Sequence, residues 1–166
     1  GHLAYIIEGI KNLPIGQHYP ARVEVNGQVR SDIDISPLAL GGLTEGVSTR
    51  EMAQAYCTFD NSGIFTEART YSRVTDAAGN IVLDNQPKTH VAMKSSTAAL
   101  MNSILQDVVT RGTGSSAAFS GMTLAGKTGT TNDLRDRYFV GYSPYYVGAC
   151  WVGYESNSRV SSGGVN

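Results

Sequence analysis

The 166-residue sequence predicts an α/β layer fold in which helices cover an antiparallel sheet, and three of its features point there. Two segments carry apolar residues at i, i+3, i+4 and i+7, the spacing of one helix face. The last third of the chain changes to runs rich in aromatic and β-branched residues, which suit strands. Hydrophobic residues make up 41% of the chain, enough at this length for one core without disulfides or metals.

Gly1-His2 reads as a cloning remnant. An apolar stretch from Leu3 to Leu13, with helical character, runs into Pro14 and Gly16, and Gln17 to Ser36 reads as a polar connection. Within it Asn26-Gly27, between Val23/Val25 and Val29, marks a type I′ hairpin turn, whose two central residues both need φ > 0. The small apolar run Leu38-Ala39-Leu40-Gly41-Gly42-Leu43 reads as a tightly packed loop. The strongest helix follows. Ser48 and Glu51 have the spacing of a capping box, Met52, Ala55, Tyr56 and Phe59 form the apolar stripe, and Asn61 to Gly63 ends it. A second helix spans about Ser96 to Val109, with Met101, Ile104, Leu105 and Val108 on its buried face and Gly112 as its stop. Between the helices, Tyr71 to Thr75 and Asn80 to Leu83 flank Asp76-Ala77-Ala78-Gly79 as a hairpin.

Three antiparallel strands are predicted at the C-terminal end, over Met122 to Thr130, Tyr138 to Tyr142 and Tyr146 to Tyr154. Gly126, Gly129, Gly141, Gly148 and Gly153 lie inside them. Glycine weakens a strand unless another backbone approaches closely, so such an approach is the expectation. Tyr138, Tyr142, Tyr145, Tyr146 and Trp151 read as sheet-packing residues.

Composition narrows the function classes. With 13 Lys+Arg against 14 Asp+Glu the net charge is −1, which gives no pull toward nucleic acid or anionic lipid. Charged residues are 16%, and the 19 glycines are about 11% of the chain against about 7% on average, so the polar surface leans on Ser, Thr, Asn and backbone. No run approaches the roughly 18 apolar residues of a membrane span. Cys57 and Cys150 have neither metal nor Cys-x-x-Cys spacing and read as two free core thiols, with one long-range disulfide as the alternative in an oxidising compartment. His18 and His90 stand alone, so no metal site is expected, and nothing implies a cofactor.

One motif has two readings. Gly121-Met122-Thr123-Leu124-Ala125-Gly126-Lys127-Thr128 satisfies the Walker A pattern of a P-loop NTPase. A P-loop needs a strand before its first Gly and a helix beginning at Lys-Thr, whose N-terminus holds the phosphates. Here Ser115 to Ser120 precedes and the turn-rich Gly129-Thr130-Thr131-Asn132-Asp133 follows, so the context opposes nucleotide binding. The competing reading keeps Lys127-Thr128-Gly129-Thr130 on an extended strand, with Lys127 and Gly129 on one face and Thr128 and Thr130 on the other. A substrate backbone could pair along that edge where Gly129 permits close approach. The hydroxyls of Thr128 and Thr130 could bind a carboxylate that Lys127 attracts, and a strand N–H could stabilise an oxyanion. Those are the parts of an acyl-transfer site.

The text around this strand is specific. Lys127-Thr128-Gly129-Thr130-Thr131-Asn132-Asp133, then Phe139-Val140-Gly141-Tyr142-Ser143-Pro144, then Trp151-Val152-Gly153-Tyr154 resembles the end of the transpeptidase domain of class A penicillin-binding proteins. So do Leu38 to Gly42, Glu51-Met52-Ala53-Gln54-Ala55-Tyr56, and Val108-Val109 through Gly112-Thr113-Gly114. The resemblance runs from about Ser36 to Gly164, and residues 3–35 match it poorly. It implies a penicillin-binding-protein/serine β-lactamase-like fold. It also implies a chemistry: a serine attacks the D-Ala-D-Ala end of a peptidoglycan stem peptide, releases D-alanine and passes the acyl group to a neighbouring amine, and β-lactams trap that serine.

Of the family's three elements, Ser-x-x-Lys, Ser-x-Asn and Lys-Thr-Gly, only the third is present. Glu8, Asn85, Val91 and Leu124 stand three residues before the four lysines, and no Asn has Ser two positions before it. The resemblance therefore implies the C-terminal portion of a larger transpeptidase domain, residues 36–164, with 165–166 a truncated end that stops before the family's last helix. A membrane anchor and a glycosyltransferase domain upstream, and a place outside the cytoplasmic membrane, are expected of the parent protein. By position, Lys127 and Thr130 take catalytic roles, the latter through its N–H in the oxyanion hole, and Thr128, Gly129 and Thr130 bind substrate. The expected partners are stem peptide, β-lactams and the remainder of the domain, with a dimer or swapped oligomer where its buried faces are exposed. Alone, the chain is expected to be inactive. A non-catalytic peptidoglycan-binding module that kept the strand is the alternative. Tyr138 stands where the family usually has Trp, which implies altered packing beside the strand and no change of chemistry.

Overall fold

The computed structural model describes residues 22–31, 41, 43 and 46–160. The expectations for Leu3 to Leu13, for the packed loop apart from Gly41 and Leu43, and for the stretch after Val160 lie outside the described residues. Strands β1 (Arg22–Val25) and β2 (Gln28–Ser31) pair antiparallel with Val25 opposite Gln28. Asn26 and Gly27 join them at φ 54° and 75°, the paired positive values of the type I′ turn.

Helix α1 (Thr49–Asp60) begins with the expected capping box: the Ser48 amide donates to Glu51 Oε2 at 2.9 Å and the Glu51 amide to Ser48 Oγ at 3.2 Å. Helix α2 (Ser95–Thr110) buries Ala98, Leu105 and Val109. Leu105 and Met101 of the predicted face do pack in the core, but the face extends to Ala98 and Val109 and leaves Ile104 exposed. After the helix, a Cβ at Gly112 would sit 2.9 Å from the Val108 carbonyl oxygen, so only glycine fits that turn.

Between the helices stands a two-tier arm. Strands β3 (Ile64–Thr66) and β6 (Thr89–Val91) pair at its base, and β4 (Arg73–Thr75) and β5 (Ile81–Asp84) form the predicted hairpin above. In the hairpin turn Asp76 Oδ1 accepts from the Ala78 and Asn80 amides.

The C-terminal sheet has the order β7 (Ala125–Thr130), β8 (Asp136–Tyr142), β9 (Val147–Gly153), antiparallel throughout. Met122 to Leu124, predicted as strand, precede β7 without pairing. Leu105 of α2, Ala125 of β7 and Tyr142 of β8 form the core, with Tyr56, Phe59, Met101 and Val147 packed on them. Both helices thus lie on one face of the sheet, called here the helix face. Tyr142 O–H donates to Asn102 Oδ1 at 2.5 Å, and Asn102 Nδ2 donates to the Phe59 carbonyl at 3.0 Å, which ties both helices to β8.

Three sequence expectations need correction. At two of the five sheet glycines a ring and not backbone comes closest: a Cβ at Gly141 would meet the Phe139 ring at 2.7 Å, and one at Gly153 the Trp151 ring at 2.3 Å. Only at Gly126 does backbone come closest, with the Val140 carbonyl oxygen at 2.7 Å, and at Gly148 nothing lies within 4 Å. Tyr145 and Tyr146, at 74% and 82% exposure, occupy the β8–β9 turn and pack on nothing extensive. Cys57 and Cys150 are both free, yet Cys150 is exposed, because β9 presents it on the face opposite the helices.

Candidate functional site

The Lys127-Thr128-Gly129-Thr130 motif lies entirely within β7, on a strand that starts at Ala125, with no helix at Lys127-Thr128. The Walker A match therefore has neither structural partner that phosphate binding needs. Strand β7 is an edge of its sheet. β8 pairs with it on one side, and no strand among the described residues pairs on the other. Outward N–H and C=O groups of an edge strand can accept an extended chain.

The turn after the motif fixes the register. Thr131 Oγ1 accepts from the Arg135 and Asp136 amides, both at 3.0 Å, and the Thr131 amide donates to the Asp136 carbonyl at 3.1 Å. Leu134 takes φ 55° within it. This clamp sets Thr130 opposite Arg137, Gly129 opposite Tyr138 and Thr128 opposite Phe139. Side chains alternate along strands, so Thr128, Thr130, Arg137 and Phe139 share the open face, while Lys127, Gly129 and Tyr138 share the helix face.

On the open face the hydroxyls of Thr113 and Thr128 lie 2.7 Å apart. A Cβ added to the neighbouring Gly114 would stand 3.4 Å from the Phe139 ring, so the segment after α2 reaches round to this face of the sheet. Opposite Thr130, the Nε of Arg137 is buried and has no hydrogen-bond partner. On the helix face the exposed Lys127 ammonium donates to the Thr128 carbonyl at 2.8 Å. Gly129 is confined by Tyr138, whose Cβ a side chain there would meet at 3.2 Å. Tyr138 O–H donates to the Val47 carbonyl at 2.8 Å, which joins the start of α1 to β8 beside the motif. Burial, then the nearby carboxylates of Asp136 and Glu51, push the Tyr138 phenol up.

The structure thus places Thr128 and Thr130 together and Lys127 and Gly129 on the opposite side. Sequence reasoning assigned no role to Thr113 or Arg137. The signal for Arg137 was present, since it lies two positions before Phe139 on the same strand face. The signal for Thr113, flanked by Gly112 and Gly114, was a turn and nothing more. Burial and then Asp60 push the Cys57 thiol up, which lowers its thiolate fraction.

The family model described as penicillin binding protein transpeptidase domain matches residues 8–159. Penicillin-binding protein 1A of Clostridium botulinum is 39% identical over 127 residues, covering 76% of this chain and 15% of that protein. The D,D-transpeptidase domain of a peptidoglycan glycosyltransferase from Eggerthella lenta aligns with TM-score 0.55 and 31% identity, over 61% of this chain and 26% of that one. Penicillin binding protein 3 from Mycobacterium tuberculosis aligns with TM-score 0.67 over 88% of this chain and 39% of that one, and at 21% identity this is a likeness of fold.

Proposed function

The chain belongs to the penicillin-binding-protein transpeptidase family, and from that premise we propose that β7 is the substrate-binding wall of a peptidoglycan D,D-transpeptidase site. The observation that carries this reading is the motif's place on an edge strand, with two threonine hydroxyls on one face and the lysine on the other. An acyl donor extended along this edge would bond to outward backbone groups, and its terminal carboxylate would meet Thr128 and Thr130. The Thr130 N–H would serve as one donor to the oxyanion formed when a serine attacks, and loss of one such donor costs about 10²–10³ in rate. Lys127 would supply positive charge on the helix face, toward the serine of the Ser-x-Asn element.

The chain spans 15% of the length of its Clostridium relative, and the full chemistry belongs to a larger assembly of elements. Neither Ser-x-x-Lys nor Ser-x-Asn occurs in these 166 residues, so the covalent step requires a nucleophile from outside them. Stem peptides and β-lactams would be the ligands, the remainder of the transpeptidase domain the partner, and the outer side of the cytoplasmic membrane the location. Among the described residues no helix is long and apolar enough to cross a membrane. Incubation of the purified chain with a fluorescent penicillin tests the reading. No covalent label is expected, and a labelled residue within this chain would overturn the assignment of the nucleophile elsewhere.

A further inference from the structure

We propose that Arg137 determines specificity: its guanidinium selects acyl donors bearing a free carboxylate over the same donors with a neutral end. The inference rests on the reading of β7 as the substrate strand. Arg137 stands directly opposite Thr130 on the open face, and Thr128 follows two residues away on that face. Facing residues on paired strands have Cβ atoms about 4.5–5.5 Å apart. Neighbouring strands are about 4.8 Å apart, so an arginine stem is long enough to cross from β8 to β7.

The charge of this guanidinium is not neutralised within the described residues. Arg73, Arg111 and Arg135 each have a carboxylate, from Asp84, Asp107 and Asp133, at 3.9, 2.5 and 3.4 Å. Arg137 has no ion pair among the described residues, and its buried Nε has no acceptor. The adjacent Asp136 projects to the other face, where it accepts from Trp151 Nε1 at 3.0 Å. An arginine cannot shed its proton to escape this situation, and a buried donor without a partner is costly. A planar fork of N–H donors carried on the same strand face as two hydroxyls matches a carboxylate, which can accept several hydrogen bonds at once.

The Thr113–Thr128 pair completes the arrangement. Each hydroxyl has one hydrogen, so when Thr113 donates to Thr128, the Thr128 hydrogen is free to point at the anion. Lys127, on the helix face and bonded to its own strand, does not compete for it. The two cations therefore divide the work: Arg137 reads the carboxylate end, and Lys127 remains for the reacting side.

The test is an NMR titration of the full chain with two peptides ending in D-alanyl-D-alanine, one a free carboxylate and the other a carboxamide. The carboxylate peptide is expected to bind about tenfold more tightly, as for a charge-assisted bidentate contact. Arg137→Gln is expected to bring the two affinities within about twofold. In the unsubstituted chain the preference is expected to shrink as salt is raised, a readout that does not depend on the variant folding. Preference retained in Arg137→Gln, equal binding of both peptides, or a preference indifferent to salt would overturn the role of Arg137 alone. Binding of neither peptide would overturn the strand reading and this inference together.

Discussion

Tyr142 shows how a single residue links the core to the site. Its ring packs with Leu105 and Ala125, and its hydroxyl holds Asn102, which in turn holds the end of α1. Burial first, then the charge of Asp60 and the neighbouring Tyr56, push its phenol well above the usual tyrosine range. An unfolded tyrosine loses its proton near pH 10, while the folded one keeps it. Above that pH the unfolded state binds fewer protons, so stability is expected to fall as pH rises. Tyr142→Phe is expected to cost about 1 kcal/mol at neutral pH through the lost hydrogen bond, and to flatten the alkaline decline. Urea unfolding of both proteins from pH 8 to 11 checks this, and equal slopes would contradict it. The aromatic run made Tyr142 legible as a core residue, but its partner Asn102, on the predicted helix, was not, because nothing local marks a contact 40 residues away.

At the scale of elements, what the sequence made legible was what local chemistry dictates. The Asn26-Gly27 turn, the capping box at Ser48 and Glu51, and the hairpin at Asp76 to Gly79 each appear where expected, since each is decided within a few residues. The pairing of β3 with β6 was missed: both strands have three residues, and the turn signals between them belong to the inner hairpin. The partial shift of the α2 face toward Ala98 and Val109 has the same cause, because several apolar stripes were available and only the sheet chooses among them. Ser48→Ala is expected to cost about 1 kcal/mol in denaturant unfolding, as loss of an N-cap does. Because Val47 also accepts from Tyr138, this change is expected to disturb the amide resonances of β8 as well. Disturbance confined to α1 would show that the helix start and the motif are independent.

For the molecule as a whole, the asymmetry of the C-terminal sheet governs behaviour. Its helix face holds the core, whereas the open face presents Cys150 and Val152, with Phe139 only partly covered. Apolar surface of this kind favours association, and a light-scattering mass above that of one 17.7 kDa chain is expected at high concentration. A monomer at every concentration would contradict that expectation. The extended strand that carries the motif was legible from its residue types and the turn-rich residues after it. The position of Arg137 beside it was not, because the register comes from the Thr131 clamp.

Under the proposed function, the edge of β7 receives an extended substrate. Residue-resolved hydrogen exchange of the backbone amides tests it most directly, with and without a peptide ending in D-alanyl-D-alanine. Slower exchange is expected at the outward amides within Lys127–Thr130 when the peptide is bound, with no change along β9, the other edge of the same sheet among the described residues. Protection along β9 instead, or unchanged exchange in β7 with the peptide bound, would contradict it.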